Sequence, residues 1–306
     1  MRLTKFSKRT PRSSSRITSS EAASSALHRH RNCHTWEGGA LQFRGNYQGS
    51  SFSELLDVDF SHLRLNWGEL SGDFDAAAIP HGTTVMGFKY AEGVVIAGDR
   101  LATMGHRVAS RDMEKVYPTD AYSLSAIAGA AGPAVEMARL MRIELEHYEK
   151  IEGESLELEG KANKLSQMVR QNLPAAMQGL AVVPLFAGYD RRRSVGRLWG
   201  YDMTGGRYEE TDYESTGSGG IYAAESLKKS HRNDANRTEA LRMAVQALVD
   251  ASDEDRATGG PDVVRGIFPI IDFCTRDGIE RASESEIEAV FREIIAEQTS
   301  RRGSAS

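Results

Sequence analysis

The chain has 306 residues, 40% of them apolar, and a formal net charge of −5. That length can bury one large core or two modest ones, and the charge balance argues against a nucleic-acid partner. Only two cysteines occur, Cys33 and Cys274, so a disulfide framework is excluded and a reducing cytoplasm is the natural setting; no apolar run approaches the roughly 18 residues of a membrane span, and no secretory core follows the basic start.

In chain order, residues 1–32 carry eight Lys/Arg and one acid, Glu21, among many serines. That composition resembles an organelle transit peptide and reads more simply as a disordered N-terminal tail. Residues 1–50 hold too little apolar surface to offset the entropy of ordering. His28, His30, Cys33 and His34 cluster there like metal ligands, but no paired Cys-x-x-Cys accompanies them, so no metal is expected. Residues 51–78 mix Glu54, Asp57, Asp59, Glu69, Asp73 and Asp75 with Phe52, Leu55, Leu56, Phe60, Leu63, Leu65 and Trp67. This pattern suits short helices that dock on another surface, not a domain of its own.

From residue 83 the text becomes dense. Residues 83–89 read as a strand, 90–93 as a turn with Gly93 free to take positive φ, and 94–98 as a buried strand. A hairpin is expected around 104–109 and a strand at 122–128. Gly132-Pro133 opens a helix whose stripe is Ala134, Met137, Ala138, Met141, Leu145 and Tyr148. A Glu-rich connection over 149–159 leads to a helix over 161–177. Strands at 181–190 and 197–203 form a hairpin through Arg191-Arg192-Arg193, a charged turn in water. Helices follow at 220–230 and 236–251, the latter with Asn236 as N-cap and Glu239 three residues on. A strand region over 263–273 and a helix over 283–298 complete the chain. Paired strands flanked by paired helices predict an α+β fold, two sheets face to face with helices outside, and not a doubly wound parallel sheet.

The stretch IPHGTTVMGF at 79–88 places Gly82-Thr83 where the dense text begins. A threonine hydroxyl is a weak nucleophile without an adjacent base. Cleaving the Gly82-Thr83 bond would free an α-amine with a pKa of about 8, which suits a general base. Gly82, lacking Cβ, can adopt the twisted backbone such an attack needs. Asp99 follows at the end of a strand and Lys115 sixteen residues later. Taken singly, Asp99 and Lys115 would make a surface ion pair of little worth, and Gly129 a tight strand-to-helix turn. The glycines of 217–220 are not followed by a phosphate-loop pattern.

The region TTVMGFKYAEGVVIAGDRLATMGHRVASRDMEKVY resembles the start of a mature proteasome β subunit of actinobacterial type, within the N-terminal nucleophile (Ntn) hydrolases. The resemblance runs from residue 83 to about 298. It implies the Ntn fold, a four-layer αββα sandwich. It implies that Thr83 is the nucleophile and its amine the base, that Lys115 is the cation beside the hydroxyl, and that Asp99 holds Lys115 charged and in place. Gly129 would offer a backbone N–H to the oxyanion, and Ser218 a hydrogen bond near the Thr83 amine. Asp255 and Thr258 match the family's Asp-x-x-Ser-Gly-Gly turn, with Thr258 where Ser is commoner. Ala102, Met113, Ile127, Ala131 and Val135 would line an apolar first pocket, implying cleavage after large hydrophobic residues. Thr103 and Ala131 would hold an extended peptide by backbone bonds.

The resemblance further implies that residues 1–82 are a propeptide removed autocatalytically at Gly82-Thr83, and that 83–306 are the catalytic domain with a disordered tail from about 299. The segment 51–75 would dock on neighbouring subunits. The implied partners are proteasome α subunits and other β subunits in an α7β7β7α7 stack, a ring-shaped ATPase activator on the α ring, and unfolded, Pup-tagged protein substrates. No cofactor, metal, nucleic acid or membrane is implied, and the setting is cytoplasmic. Two other readings stay open: a simpler two-ring bacterial threonine protease or other Ntn amidase, and a non-catalytic scaffold subunit. The joint presence of Gly82, Thr83, Asp99 and Lys115 argues against the scaffold.

Overall fold

The computed structural model describes residues 45–63 and 82–303. The metal-like histidines, the basic start and residues 64–81 of the acidic-apolar segment lie outside the described residues. In chain order the first strands are β1 (Thr84–Tyr90), β2 (Gly93–Gly98), β3 (Ala102–Met104), β4 (Arg107–Ser110), β5 (Val116–Asp120) and β6 (Ser123–Gly129). The later strands are β7 (Val182–Asp190), β8 (Val195–Tyr201), β9 (Arg207–Glu210), β10 (Tyr213–Gly217), β11 (Ile270–Thr275) and β12 (Gly278–Arg281). The helices are α1 (Phe52–Asp59), α2 (Ala131–Glu152), α3 (Leu158–Gln171), α4 (Leu173–Ala176), α5 (Gly220–Ser230), α6 (Arg237–Glu254) and α7 (Glu284–Gly303).

Two five-stranded antiparallel sheets form, in the orders β10-β1-β2-β11-β12 and β5-β6-β7-β8-β9, with β3-β4 as a separate hairpin. Because side chains alternate along a strand, each sheet buries both faces in different layers. In β2, Val94 and Ile96 face the second sheet, where they meet Val116, Leu124, Leu185 and Leu198. Val95 and Ala97 face the other way, against Leu227, Leu241, Leu248 and Ile287 of α5, α6 and α7. The second sheet repeats the device: Phe186 and Trp199 pack under Met141, Leu145, Leu165 and Val169 of α2 and α3. Three apolar clusters thus fill three interfaces between four layers, the αββα sandwich. Each fully buried Phe, Leu or Met in them contributes about 1.5–3 kcal/mol.

The capping box of α6 forms as read: Asn236 accepts from the Glu239 N–H at 3.0 Å and Glu239 accepts from the Asn236 N–H at 3.0 Å. Elsewhere the boundaries move. The first long helix runs on to Glu152, where Gly153 closes it in the left-handed conformation, φ 77°. The helix expected over 161–177 is two, since Pro174 stands in the first turn of α4 and cannot continue α3. The strand expected over 263–273 begins only at Ile270. Before it the chain makes a small bridge between Asp262 and Ile267, and Val264 is 94% exposed. The last helix continues to Gly303, past residue 299 where a tail was expected. Gly93 belongs to β2 rather than to the turn. Glycine suits it because a Cβ would come 2.1 Å from the Cys274 carbonyl oxygen.

The helix α1 lies on α2. Leu55 is buried, and the Phe52 ring tilts over His147 with centroids 5.7 Å apart. Among the described residues no helix is long and apolar enough to cross a membrane.

Candidate active site

Thr83 immediately precedes β1 and is 6% exposed. Its carbonyl accepts from the Ser218 N–H at 2.9 Å, a bond just beyond the β1–β10 ladder, which pairs Thr84 with Gly217. Sheet pairing therefore fixes the backbone of Thr83. Its hydroxyl donates to the Gly82 carbonyl oxygen at 2.7 Å. The Lys115 ammonium donates to the same oxygen at 3.0 Å.

The remaining two protons of Lys115 go to Asp99 Oδ1 and to the Leu101 carbonyl, both at 2.6 Å. Asp99 is fully saturated: Oδ1 also accepts from the Thr84 N–H at 2.7 Å, and Oδ2 from the Leu101 and Gly259 N–H groups, both at 2.9 Å. Asp99 is 0% and Lys115 2% exposed, so this is no surface pair. Two charges are out of water, and complete hydrogen bonding offsets their desolvation. Burial pulls the Lys115 pKa below its ordinary 10.5, and the charge of Asp99 works against that shift.

A second carboxylate sits nearby. Asp255 Oδ2 accepts from the Thr258 hydroxyl at 2.6 Å and Oδ1 from the Ala257 N–H at 3.1 Å. Thr258 Oγ1 also lies 2.6 Å from Thr84 Oγ1, which accepts from the Gly219 N–H at 3.0 Å. A hydroxyl has one proton to give. Thr258 gives its proton to Asp255, so Thr84 must donate to Thr258. The chain runs one way: Gly219 N–H to Thr84, Thr84 to Thr258, Thr258 to the carboxylate. Burial alone would raise the Asp255 pKa. Bonds from Ser218 and Thr258, the Ala257 amide and the Lys115 charge outweigh it, leaving the carboxyl below its usual 3.8. Ser218 Oγ also reaches the Thr83 carbonyl at 3.4 Å.

Two glycines meet backbone demands here. Gly82 has φ 96°, and a Cβ on it would lie 2.5 Å from Thr103 Oγ1 and 3.1 Å from the Ala257 carbonyl oxygen. Gly129, at the end of β6, has φ 115° and would place a Cβ 2.2 Å from the Ala181 carbonyl oxygen. Other residues are strained or excluded at both.

Ala102, Met113, Ala131 and Val135 line one groove of about 740 Å³ between the β3–β4 hairpin and α2. Its rim carries charge, with Asp112, Glu114, Arg139 and Arg142. Ile127 of β6 faces the same helix from below: it is 3% exposed, in one apolar cluster with Ala134, Met137 and Ala138, and Ala138 also lines the groove. Thr103 stands on β3 against Gly82.

Sequence reasoning missed Thr84. It is 0% exposed, its amide binds Asp99, and its hydroxyl binds the Thr258 turn. The only sequence signal is the doublet Thr83-Thr84, because its partners lie far along the chain. Among the described residues no cluster of His, Cys, Asp and Glu could hold a metal ion.

The family model described as proteasome subunit matches residues 79–265. A proteasome subunit beta of Streptomyces griseus is 56% identical over 246 residues, covering 80% of this chain and 88% of the relative. The proteasome subunit beta of Stackebrandtia nassauensis is 52% identical, covering 81% of this chain and 90% of the relative. That of Acidimicrobium ferrooxidans is also 52% identical, covering 83% and 93%. Matched by the family model over more than half its length, and by these relatives over four fifths of it, the chain belongs to the proteasome subunit family as a β subunit, and threonine protease activity follows from that membership.

Proposed function

We propose that the chain is a self-activating threonine endopeptidase of the proteasome core particle (EC 3.4.25.1), with Thr83 as nucleophile. The observation that carries this is the convergence of the Thr83 hydroxyl and the Lys115 ammonium on the Gly82 carbonyl oxygen, at 2.7 and 3.0 Å. In self-cleavage, Thr83 Oγ1 adds to the Gly82 carbonyl carbon, and the negative charge that develops on its oxygen faces Lys115. The Gly82–Thr83 C–N bond then breaks, and the proton lost by the hydroxyl ends on the departing amine. Water hydrolyses the resulting ester. Gly82 leaves as a carboxylate, and Thr83 keeps both its hydroxyl and a free amine.

In the mature enzyme that amine is the general base and Lys115 the neighbouring cation. Asp99 keeps Lys115 in place, and the Gly129 N–H receives the substrate oxyanion. Ser218, Asp255 and Thr258 form the polar wall around the amine. Peptides bind between β3 and the start of α2, through the backbones of Thr103 and Ala131, with a large apolar side chain in the groove of Ala102, Met113, Ala131 and Val135. The groove's charged rim adds a preference that an all-apolar lining does not supply.

Assembly with α and β subunits follows from the family. The finer reading is an α7β7β7α7 stack in the cytoplasm, served by a ring-shaped ATPase and acting on Pup-tagged, unfolded proteins. Residues 1–82 are the propeptide, and the amine stays an amide until they leave. Co-expression with an α-type subunit followed by intact-mass measurement tests this. A product beginning at Thr83 supports the reading, and an uncut chain or one trimmed elsewhere overturns it.

A further inference from the structure

Upstream of the scissile bond, residues 45–59 form a compact ligand. The Asp59 carboxylate accepts from the Asn46 and Tyr47 N–H groups, Tyr47 donates to Glu54 at 2.6 Å, and the Ser51 N–H donates to the Tyr47 hydroxyl oxygen. The eight-residue helix α1 is too short to persist alone in water, so its order depends on what it touches.

It touches an ion pair whose carboxylate is buried. Glu144 of α2 is 3% exposed and pairs with Lys164 of α3 at 2.6 Å. Glu144 Oε1 accepts from the Ser51 hydroxyl at 2.8 Å, and Oε2 from the Ser53 N–H at 2.7 Å and its hydroxyl at 2.8 Å. Lys164 donates to Ser51 Oγ at 2.8 Å. The carboxylate thus stands at the N-terminus of α1, takes a first-turn N–H that has no partner within the helix, and faces the positive end of its dipole. Phe52 covers His147, whose Nε2 is buried without a hydrogen-bond partner among the described residues. Every polar group of Ser51 and Ser53 that meets this face has a partner of opposite sense.

We infer that the α2–α3 face around Glu144, Lys164 and His147 is a peptide-binding site whose ligand is this chain's own serine-capped helix Phe52–Asp59. The contacts are noncovalent and involve neither Gly82 nor Thr83. The site therefore holds the segment before the cut and binds it as a separate peptide after. Only the second half rests on the proposed cleavage.

Two measurements test it. In the full-length Thr83→Ala chain, hydrogen exchange of the 53–59 amides is expected to be slow and to speed up more than tenfold in Glu144→Gln. Unchanged exchange overturns the site. In the second, a labelled peptide of residues 45–63 is titrated onto protein beginning at Thr83 and followed by fluorescence anisotropy. Saturable binding, weakened more than tenfold when the peptide carries Ser51→Ala and Ser53→Ala, is expected. Absence of saturable binding, or equal binding of the two peptides, overturns retention after the cut. The peptide variants leave the protein untouched, so a misfolded variant cannot mimic the result. A failure of self-cleavage shows separately, as an uncut mass, and leaves the exchange measurement intact.

Discussion

Two lysine–carboxylate pairs with buried carboxylates, Lys115–Asp99 and Lys164–Glu144, share chemistry and differ in what encloses them. Both have N···O separations of 2.6 Å, and both carboxylates are 3% exposed or less. Around Lys115–Asp99 most of the enclosing groups, such as the amides of Thr84, Leu101 and Gly259, lie at or after Thr83. Around Lys164–Glu144 the closing groups are Ser51 and Ser53, upstream of Gly82. The first pair is dry because of the domain itself. In the second, Lys164 keeps 17% exposure and the carboxylate is closed over by another segment. A buried charge pair is therefore a tool with two uses: a fixed electrostatic element where the fold seals it, and a recognition element where a removable segment does.

The largest effect should come from Thr83, the proposed nucleophile beside the sealed pair. Thr83→Ala is expected to leave the chain uncut and to lower peptidase activity by at least about 10⁴-fold, as intact mass and a fluorogenic peptide would show. Next, the two pairs should separate under the same kind of change. Asp99→Asn leaves Lys115 buried without its counter-ion, with an expected loss of about 3–5 kcal/mol of stability and most activity. Glu144→Gln should leave the activity of protein beginning at Thr83 within about twofold. Equal losses in both would break the comparison.

Gly82→Ala sharpens it at the bond between the two regions. The added methyl meets Thr103 Oγ1 at a backbone angle that L side chains resist, so self-cleavage followed by mass should slow at least about tenfold. Thr84→Val removes the hydroxyl between Gly219 and Thr258 and should cost about 1–3 kcal/mol with a lower kcat, while Thr84→Ser restores both.

The smallest effect is that of pH on the second pair. Burial would raise the Glu144 pKa, but Lys164, Ser51 and Ser53 together hold it below its ordinary 4.5. A carboxyl with a depressed folded pKa stabilises above its unfolded pKa and loses that contribution as pH falls through the folded one. The protection factor at 53–59, which is the exchange rate corrected for its intrinsic pH dependence, should thus be constant near neutral pH and fall only below about 4.5.

The site was legible in the sequence where partners lie close along the chain. Thr83, Asp99 and Lys115 fall within one stretch of text, and strand ends deliver them to one point. Thr84 escaped because its hydroxyl meets Gly219 and Thr258, 135 and 174 residues away, and nothing local marks a threonine as buried. Glu144 escaped because it interrupts the apolar stripe of α2 as a surface charge would. In the fold, long apolar strands and the Asn236 capping box were readable. The strands β5, β9 and β10 were not: Val116–Asp120, Arg207–Glu210 and Tyr213–Gly217 are short and polar, and pairing with neighbours, not propensity, makes them strands.

The two sheets carry a last consequence. Thr83, Asp99 and Gly219 belong to the first sheet or its connections, while Lys115 leads into β5 and Gly129 ends β6, both in the second. Neither sheet alone brings a cation to the Gly82 carbonyl. A chain with one sheet formed, or with the layers undocked, cannot perform the proposed cut. The new N-terminus at Thr83 is then a chemical timestamp: a permanent covalent record that this particular molecule once completed its tertiary structure.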